Sequence, residues 1–191
     1  MIDHKLKQEL LRKKLLSSSN KPLEGEYDLI YADPPWRYAF SKSNSREIEN
    51  QYPTMTVPEI CSLDIASIAA KNCVLVMWGT SPKLLEAITV IKEWGFTYKT
   101  SAIWNKQKMG MGYYFRQQHE YLFIATRGKP PAPPPSSRTR SVFTFPRTKH
   151  SKKPIEVYGL LENMYPTARK IELFCRMPQE GWSAWGNQIG N

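Results

Sequence analysis

Short apolar runs alternate with more polar stretches along most of the chain. The run Leu29 to Ala32 contains no polar side chain except the tyrosine hydroxyl. Such a run is typical of a strand buried on both faces of a parallel sheet. The same pattern predicts four further strands, which are Val74 to Trp78, Phe96 to Trp104, Glu120 to Ala125 and Lys170 to Phe174.

The segments between these runs carry helix signals. Pro53 to Lys71 predicts one or two short helices, and Ser81-Pro82 begins a helix that Gly95 ends. Lys153-Pro154 opens another helix, which runs to about Asn163. The alternation predicts an α/β fold, a mostly parallel central sheet flanked by helices.

The N-terminal segment differs from the rest. Asp3 to Leu16 places leucines on one helical stripe among lysines and arginines, and Ser17 to Lys21 reads as a linker. An amphipathic helix docked on the domain edge explains this pattern better than a dedicated nucleic-acid arm. We therefore expect a basic helix and linker over residues 1–20, followed by a single domain over 21–191.

Asp33-Pro34-Pro35-Trp36 follows the first strand directly. The prolines end the strand, so Asp33 lies at the carboxyl edge of the sheet, where open α/β sheets bind ligands. The Asp33 carboxylate and the Pro34 carbonyl are both acceptors and together can hold the two hydrogens of an exocyclic amino group. Trp36 and Tyr38 can stack on an extruded or single-stranded base. The alternative is a strand-ending turn with an aromatic plug.

Composition narrows the choice of partner. The net charge is +10, and aromatic residues make up 12% of the 191 residues. The charge favours a polyanion, either nucleic acid or an acidic membrane surface. The aromatic content favours nucleic acid, because rings provide stacking platforms.

Cysteines and histidines form no ligand pattern. The three cysteines and three histidines are scattered, so we expect no structural zinc, no metal site and a reducing compartment. No apolar signal core and no run of membrane-spanning length occurs, which predicts a cytoplasmic protein without membrane contact.

Two polar stretches predict substrate contacts. Asn105 to Gln118 combines glycines with Tyr113, Tyr114, Phe115 and nearby cations, which suits a binding loop, although a hairpin connection with partly buried rings fits as well. Arg127 to Lys153 contains no acidic residue, so we expect phosphate contacts, with a solvated basic face as the alternative. The predicted substrate-binding residues are Tyr38, Asn105, Lys106, Tyr113, Tyr114, Arg116, Arg138, Arg140, Arg147 and Lys149.

Several motifs in order resemble the MT-A70 family of adenine-N6 methyltransferases. They are YDLIYADPPW, QYPTMTVPEI, VMWGTSP, WGF, GMGYYFRQQHEYLF, HSKKP, KIELFCR and WGNQ, over Tyr27 to Gln188. The order is that of bacterial and phage members. The resemblance implies a Rossmann-like S-adenosylmethionine-dependent fold in permuted order, with the catalytic motif before the cofactor motif. No GxGxxG loop occurs in the chain.

The resemblance also implies roles for residues. The catalytic group is Asp33, Pro34, Pro35 and Trp36, and S-adenosylmethionine contacts fall on Asp33, Lys153, Glu172, Phe174, Arg176, Asn187 and Gln188. Lys153 would pair with the methionine carboxylate, Phe174 and Arg176 would flank the adenosine, and Met177-Pro178 replaces a polar pair of some relatives. Relatives often work as pairs, so a homo- or heterodimer is expected.

The leading hypothesis is methylation of the adenine N6 amino group in nucleic acid, with DNA as the favoured substrate. RNA adenosine is one alternative, because both polymers present phosphates and adenine. A non-catalytic nucleic-acid-binding subunit is the other, although such a scaffold needs neither the DPPW group nor Lys153.

Overall fold

Seven strands form the centre of the protein in a computed structural model that describes residues 23–38, 54–147 and 152–186. They are β1 (Tyr27–Ala32), β2 (Ala69–Gly79), β3 (Thr97–Asn105), β4 (His119–Arg127), β5 (Val142–Thr144), β6 (Lys170–Leu173) and β7 (Ser183–Trp185). They join one sheet in the order β5-β3-β4-β2-β1-β6-β7. The strand that precedes Asp33 therefore lies inside the sheet.

Strand direction confirms the mostly parallel sheet. β1 pairs in parallel with β2 and β6, and further parallel pairs join β3 to β5 and β6 to β7. β4 runs antiparallel to both of its neighbours, β2 and β3. Six strands thus share one direction, and the carboxyl ends of β1, β3 and β6 lie at the same edge of the sheet as the amino end of β4.

Within the described residues, three α-helices flank the sheet, namely α1 (Val57–Cys61), α2 (Leu84–Glu93) and α3 (Glu156–Met164). α1 begins with a capping box in which Thr56 and Glu59 satisfy each other's backbone N–H groups. α2 ends as predicted at Gly95, whose φ of 81° suits glycine. The Phe96 N–H then donates to the Ile91 carbonyl over 3.0 Å, which closes a Schellman motif.

Two apolar clusters cover the two faces of the sheet. Ile30 and Ala32 belong to the cluster that includes residues of α1 and α2, whereas Leu29 and Tyr31 belong to the cluster that includes α3. All four side chains are at most 1% exposed. β1 is therefore buried on both faces, as its unbroken apolar run predicts.

Several predicted boundaries differ from the observed ones. β2 begins at Ala69 rather than Val74, because Ala69 already pairs with Tyr27; an irregularity that includes the exposed residues Lys71 and Asn72 separates this pair from the regular pairing that starts at Val74. α3 begins at Glu156, later than the predicted Lys153-Pro154. The segment between β3 and β4 is a hairpin connection, yet its rings are exposed rather than partly buried.

The last two tryptophans of the chain pack against the sheet. Trp182 and Trp185 are each 7% exposed, and β7 adds to the edge beside β6. The predicted helix over residues 1–20 lies outside the described residues, so the domain division stays a prediction. Across the described ranges, no helix has both the length and the hydropathy to cross a bilayer. The same ranges contain no group of three or more Cys, His, Asp or Glu side chains placed to hold a metal ion.

Candidate active site

The DPPW turn is fixed by its backbone immediately after β1. The Trp36 N–H donates to the Pro34 carbonyl over 2.8 Å, and the Met55 N–H donates to the Pro35 carbonyl over 2.8 Å. Trp36 is 4% exposed, and its Nε1 donates to the Trp78 carbonyl over 3.2 Å. The ring therefore packs in the core while it also lines a cavity. Stacking of Trp36 on a base stays a prediction.

Asp33 belongs to a network of alternating charges. Lys153 Nζ lies 2.8 Å from Asp33 Oδ1 and 3.4 Å from Glu120 Oε2. Lys106 Nζ lies 3.2 Å from Glu120 Oε1. The four side chains are 13–18% exposed. Strand ends bring three of them together, since Asp33 follows β1, Lys106 follows β3 and Glu120 is the second residue of β4.

The network keeps Glu120 ionised. Burial alone would raise the pKa of this carboxyl, but the ammonium groups of Lys153 and Lys106 hold the pKa below its usual value. Lys153 Nζ also lies 5.5 Å from the centroid of the Trp78 ring. Trp78 in turn donates from Nε1 to the Tyr31 hydroxyl over 2.6 Å, so the aromatic floor under the network is itself fixed.

A cavity of about 200 Å³, here called the charged cavity, opens over this network. Its walls include the whole DPPW group, Tyr38, Trp78 and Trp104. Five basic and two acidic side chains also line it, and they are Lys106, Arg147, Lys152, Lys153, Arg176, Asp33 and Glu120. Aromatic walls beside carboxylate and ammonium groups suit a flat polar ring next to a phosphate backbone.

A second cavity of about 240 Å³, here called the apolar cavity, adjoins the first. It is lined by Tyr31, Ile155, Tyr158, Glu172, Phe174, Met177 and Gln179. Asp33, Lys152, Lys153 and Arg176 line both cavities. Asp33 therefore lies where a group bound in one cavity can meet a group bound in the other.

The acidic group of the apolar cavity is Glu172 on β6. Its Oε2 accepts the Tyr158 hydroxyl over 2.8 Å. Burial raises the pKa of Glu172, and hydrogen bonds from Cys175 and Tyr158 only partly oppose this effect. Carboxylate oxygens beside aromatic rings are suited to accept hydroxyl or amino protons of a nucleoside.

Phe174 has an unusual backbone for a bulky residue. Its φ is 62°, and its ring contacts Trp185 edge-on with the centroids 5.7 Å apart. Left-handed conformations of large side chains store strain and cluster at ligand sites. The strand β6 thus ends in a turn that presents Phe174 and Arg176 to the apolar cavity.

The predicted site residues differ in the cavity that they line. Tyr38, Lys106 and Arg147 line the charged cavity, Glu172 and Phe174 line the apolar cavity, and Asp33, Lys153 and Arg176 line both. Residues that line neither cavity are Asn105, Tyr113, Tyr114, Arg116, Arg138 and Arg140. Asn187, Gln188 and Lys149 lie outside the described residues.

The residues outside the cavities have local bonds of their own. Asn105 Oδ1 accepts from the Gln107 N–H and from Gln118 Nε2, and Arg138 Nε donates to the Pro133 carbonyl. Tyr113 and Tyr114 are exposed on the loop between β3 and β4. Their predicted contact with substrate requires an extended ligand that reaches beyond the cavity.

Sequence reasoning missed Glu120, which connects both lysines of the network. The missed residues of the apolar cavity are Tyr158 and Gln179, and Trp78 is the missed floor of the charged cavity. A signal for Glu120 existed, because a carboxylate inside a mostly apolar strand pattern requires a partner. The identity of that partner could not be read from spacing.

Comparison with known proteins finds a family and several related methyltransferases. The MT-A70 family model matches residues 27–188. A relative from Mycoplasma sp, the Type II methyltransferase M.MunI, is 36% identical over 86% of this chain and 78% of its own length. Human N(6)-adenine-specific methyltransferase METTL4 is 28% identical over 85% of this chain. The Arabidopsis thaliana N(6)-adenosine-methyltransferase MT-A70-like protein is 26% identical over 86% of this chain.

These matches define the chain as an α/β methyltransferase. It belongs to the MT-A70 family. The chain spans 37% of the human relative and 24% of the Arabidopsis relative, so those two proteins contain much that has no counterpart here.

Proposed function

We propose that the chain transfers a methyl group from S-adenosylmethionine to the N6 amino group of adenine in DNA. The observation that carries this proposal is the position of Asp33 in both cavities. The charged cavity would hold the adenine and the apolar cavity would hold the cofactor. Family membership and the relatives' names support the reaction class.

The apolar cavity fits the cofactor by its donor and acceptor groups. Glu172 can accept hydroxyl protons of the ribose, Phe174 offers a ring beside the adenine, and Lys153 and Arg176 offer cations to a carboxylate. When bound, S-adenosylmethionine would supply a methyl group already activated on a sulfonium sulfur. The predicted contacts of Asn187 and Gln188 stay predictions.

Asp33 and Pro34 would prepare the amino group. The adenine nitrogen is weakly nucleophilic, because its lone pair is conjugated with the ring. A carboxylate offers about four acceptor positions, so Asp33 can accept an amino hydrogen while Lys153 holds Oδ1. The Pro34 carbonyl accepts the Trp36 N–H and keeps a second lone pair for the other amino hydrogen.

Glu120 and the two lysines would fix this geometry. Lys153 stands between two carboxylates, and Lys106 holds the outer one. Asp33, held in place by Lys153, would accept the proton that the nitrogen loses after methylation. Holding two reactants in a near-attack geometry contributes roughly 7–11 kcal/mol, so positioning can supply much of the catalysis.

DNA is favoured over RNA on comparative grounds. The Arabidopsis thaliana relative, whose name specifies adenosine, a ribonucleoside, is 26% identical to this chain. The Mycoplasma sp type II methyltransferase, whose name does not specify adenosine, is 36% identical. The surplus of basic side chains in the charged cavity suits either polymer. We infer a cytoplasmic protein of bacterial or phage origin, because the motif order resembles that of bacterial and phage members and the 36% identical relative comes from Mycoplasma sp. Whether it acts as a homo- or heterodimer stays a prediction.

The test uses the full chain with labelled S-adenosylmethionine and, in parallel, duplex DNA, single-stranded DNA and RNA of the same sequence. The products are digested to nucleosides and identified by mass. We expect N6-methyldeoxyadenosine from DNA, and mapping the modified sites gives the target. Methylcytosine alone would refute the adenine assignment, and faster transfer to RNA would select the RNA alternative.

Calorimetric titration with S-adenosylmethionine tests the non-catalytic alternative. We expect saturable binding to the isolated chain. Absence of binding, together with absence of transfer, would favour a nucleic-acid-binding subunit that depends on an active partner.

A further inference from the structure

The loop of residues 106–118, which connects β3 to β4, exposes large apolar side chains together. Met109, Met111, Tyr113, Tyr114 and Phe115 are 69–98% exposed. An exposed apolar patch of this kind marks an interaction site, since apolar surface in water is unfavourable. The chemistry in the two cavities does not use these side chains.

The backbone of this loop is ordered by its own contacts. The Lys106 N–H donates to the Gln118 carbonyl over 2.9 Å, and the Gly110 N–H donates to the Gln117 carbonyl over 2.8 Å. Arg116 Nε donates to the Gly110 carbonyl over 2.7 Å. The two halves of the loop thus stay hydrogen-bonded to each other beyond the ends of β3 and β4. The aromatic rings lie at the tip of this ordered loop.

Two glycines make the narrow tip possible. A Cβ at Gly112 would overlap the Phe115 carbonyl oxygen, and a Cβ at Gly110 would lie 2.9 Å from the Gln117 carbonyl oxygen. Both obstacles are backbone atoms, which cannot rotate away. The close approach of the arms therefore requires glycine at both positions.

The base of the loop belongs to the charged cavity. Lys106, the first residue of the loop, and Glu120, two residues after its end, line that cavity and form an ion pair. At ~3.3 Å per residue, the arm from Lys106 to Gly112 can extend roughly 20 Å, more than the ~8.5 Å depth of the DNA major groove. A nucleic-acid strand with one base in the charged cavity would therefore run past the tip of the 106–118 loop.

Charge on the loop selects the kind of partner. Lys106, Lys108 and Arg116 are its charged residues, and no acidic residue occurs from 105 to 118. A second copy meeting the same loop would bring these like charges together, which is unfavourable. A polyanion meets the cations favourably and offers base faces to the rings.

We propose that the 106–118 loop enters duplex DNA beside the target adenine and fills the place that this base leaves when it moves into the charged cavity. The proposal rests on the proposed function and names its substrate as the paired duplex. A paired adenine has its amino group bonded to thymine and its faces stacked, so Asp33 cannot reach it until the base is extruded. Apolar side chains inserted at the opened step offset the lost stacking.

The decisive experiment compares paired and unpaired targets. The variant Tyr113→Ser/Tyr114→Ser/Phe115→Ser is assayed on a duplex containing the mapped target and on the same duplex with an abasic site opposite the adenine. We expect kcat/KM on the paired duplex to fall at least about tenfold, with a loss below about threefold on the unpaired target. Leu85→Ser is the control, since Leu85 is 78% exposed outside the loop, and it should match the wild type on both.

A second readout follows base extrusion without methyl transfer. 2-Aminopurine replaces the target adenine, and its fluorescence rises when it leaves the stack. We expect the wild type and Leu85→Ser to raise the fluorescence and the triple variant to leave it low. A rise equal to that of the wild type would overturn the proposal.

The outcomes separate this proposal from the proposed function. If the wild type methylates neither duplex, the proposed function fails and the loop proposal fails with it. If the wild type methylates both, while the variant loses both equally or neither, only the loop proposal is overturned. Equal losses together with a change from dimer to monomer in light scattering would identify the loop as a protein interface instead.

Discussion

Two glutamates, the partly buried Glu120 and the buried Glu172, lie near Asp33, and their pKa values are shifted in opposite directions. Glu120 in the charged cavity has two ammonium partners, and its pKa is lowered. Glu172 in the apolar cavity accepts from the neutral Tyr158 hydroxyl, and its pKa is raised by burial. The usual carboxyl pKa of both is 4.5, so environment alone separates them.

The difference indicates different tasks for the two carboxylates. Glu120 is satisfied within the protein, as expected for a residue that positions its neighbours. Burial of the ionised Glu172 costs free energy in the absence of a ligand. Such a cost is expected for a carboxylate whose remaining acceptor positions accept hydrogen bonds from a bound ligand. Substitutions to glutamine should therefore separate stability from binding in the two cavities.

Asp33→Asn should have the largest effect, because Asp33 is shared by both cavities. We expect kcat to fall at least about a thousandfold, since the amide accepts more weakly and cannot take the proton. The fold should persist because Lys153 keeps Glu120 as a partner. Single-turnover kinetics and calorimetry measure the two effects. Normal turnover by this variant would remove Asp33 from the mechanism.

Glu120→Gln should weaken both fold and activity. Two ammonium groups lose their shared carboxylate, so we expect a loss of about 2–3 kcal/mol in the free energy of unfolding and at least about tenfold in kcat. Urea unfolding and initial rates measure these losses. Glu86→Gln is the control, because Glu86 pairs with Lys83 and is 37% exposed, so it should cost under about 0.5 kcal/mol.

The pH dependence of Glu120→Gln should have a definite sign. A lowered folded pKa gives stability that is present above pH 4.5 and lost as the pH falls through that lowered value. The wild type should therefore exceed the variant most near neutral pH, and the gap should close in acid. A gap that widens in acid would contradict the assignment.

Glu172→Gln should leave stability at pH 7 unchanged or raise it by about 1 kcal/mol or less, because a desolvated charge is removed. We expect binding of S-adenosylmethionine to weaken about tenfold by calorimetry. With a raised pKa, Glu172 favours folding most below pH 4.5 and loses this contribution as the pH rises through the folded value. A stability loss as large as that of Glu120→Gln would erase the contrast between the cavities.

Tyr158→Phe should have the smallest effect. The variant removes the hydroxyl that donates to Glu172 but keeps the ring contacts with Tyr31 and Trp182, whose centroids each lie 5.3 Å away. We expect a loss of about 1 kcal/mol or less in the free energy of unfolding and a loss of about two- to threefold in affinity for the cofactor. Tyr165→Phe is a matched control, since its ring lies on the same face of the sheet outside both cavity linings.

The sequence predicted best what depends on local pattern. The strand before Asp33 and the end of α2 at Gly95 were predicted correctly, because apolar runs and a helix-ending glycine act over a few residues. β7 has three residues, too few to show an alternating pattern, so no strand was predicted there. The early start of β2 depends on pairing with β1, which no local pattern encodes.

The candidate site also contains residues that local sequence reveals and residues that only the assembled fold reveals. Asp33 could be found because its strand and its prolines are adjacent in the chain. The contact of Lys153 with Asp33 and Glu120 joins three distant segments, so only the assembled sheet shows it. Glu172 and Phe174 were identified through the family resemblance, since neither residue type nor spacing distinguishes them.

The order of strands in the sheet has a consequence for protein synthesis. Ala32 of β1 pairs with Leu173 of β6. The backbone groups on that edge of β1 therefore have no strand partner until β6 has been synthesised. At 5–20 residues per second this interval lasts roughly 7 to 30 s. During that time the apolar cavity lacks its Glu172 wall, and the exposed strand edge can pair with other nascent chains. The apolar cavity is therefore complete only after translation has passed the turn that follows β6.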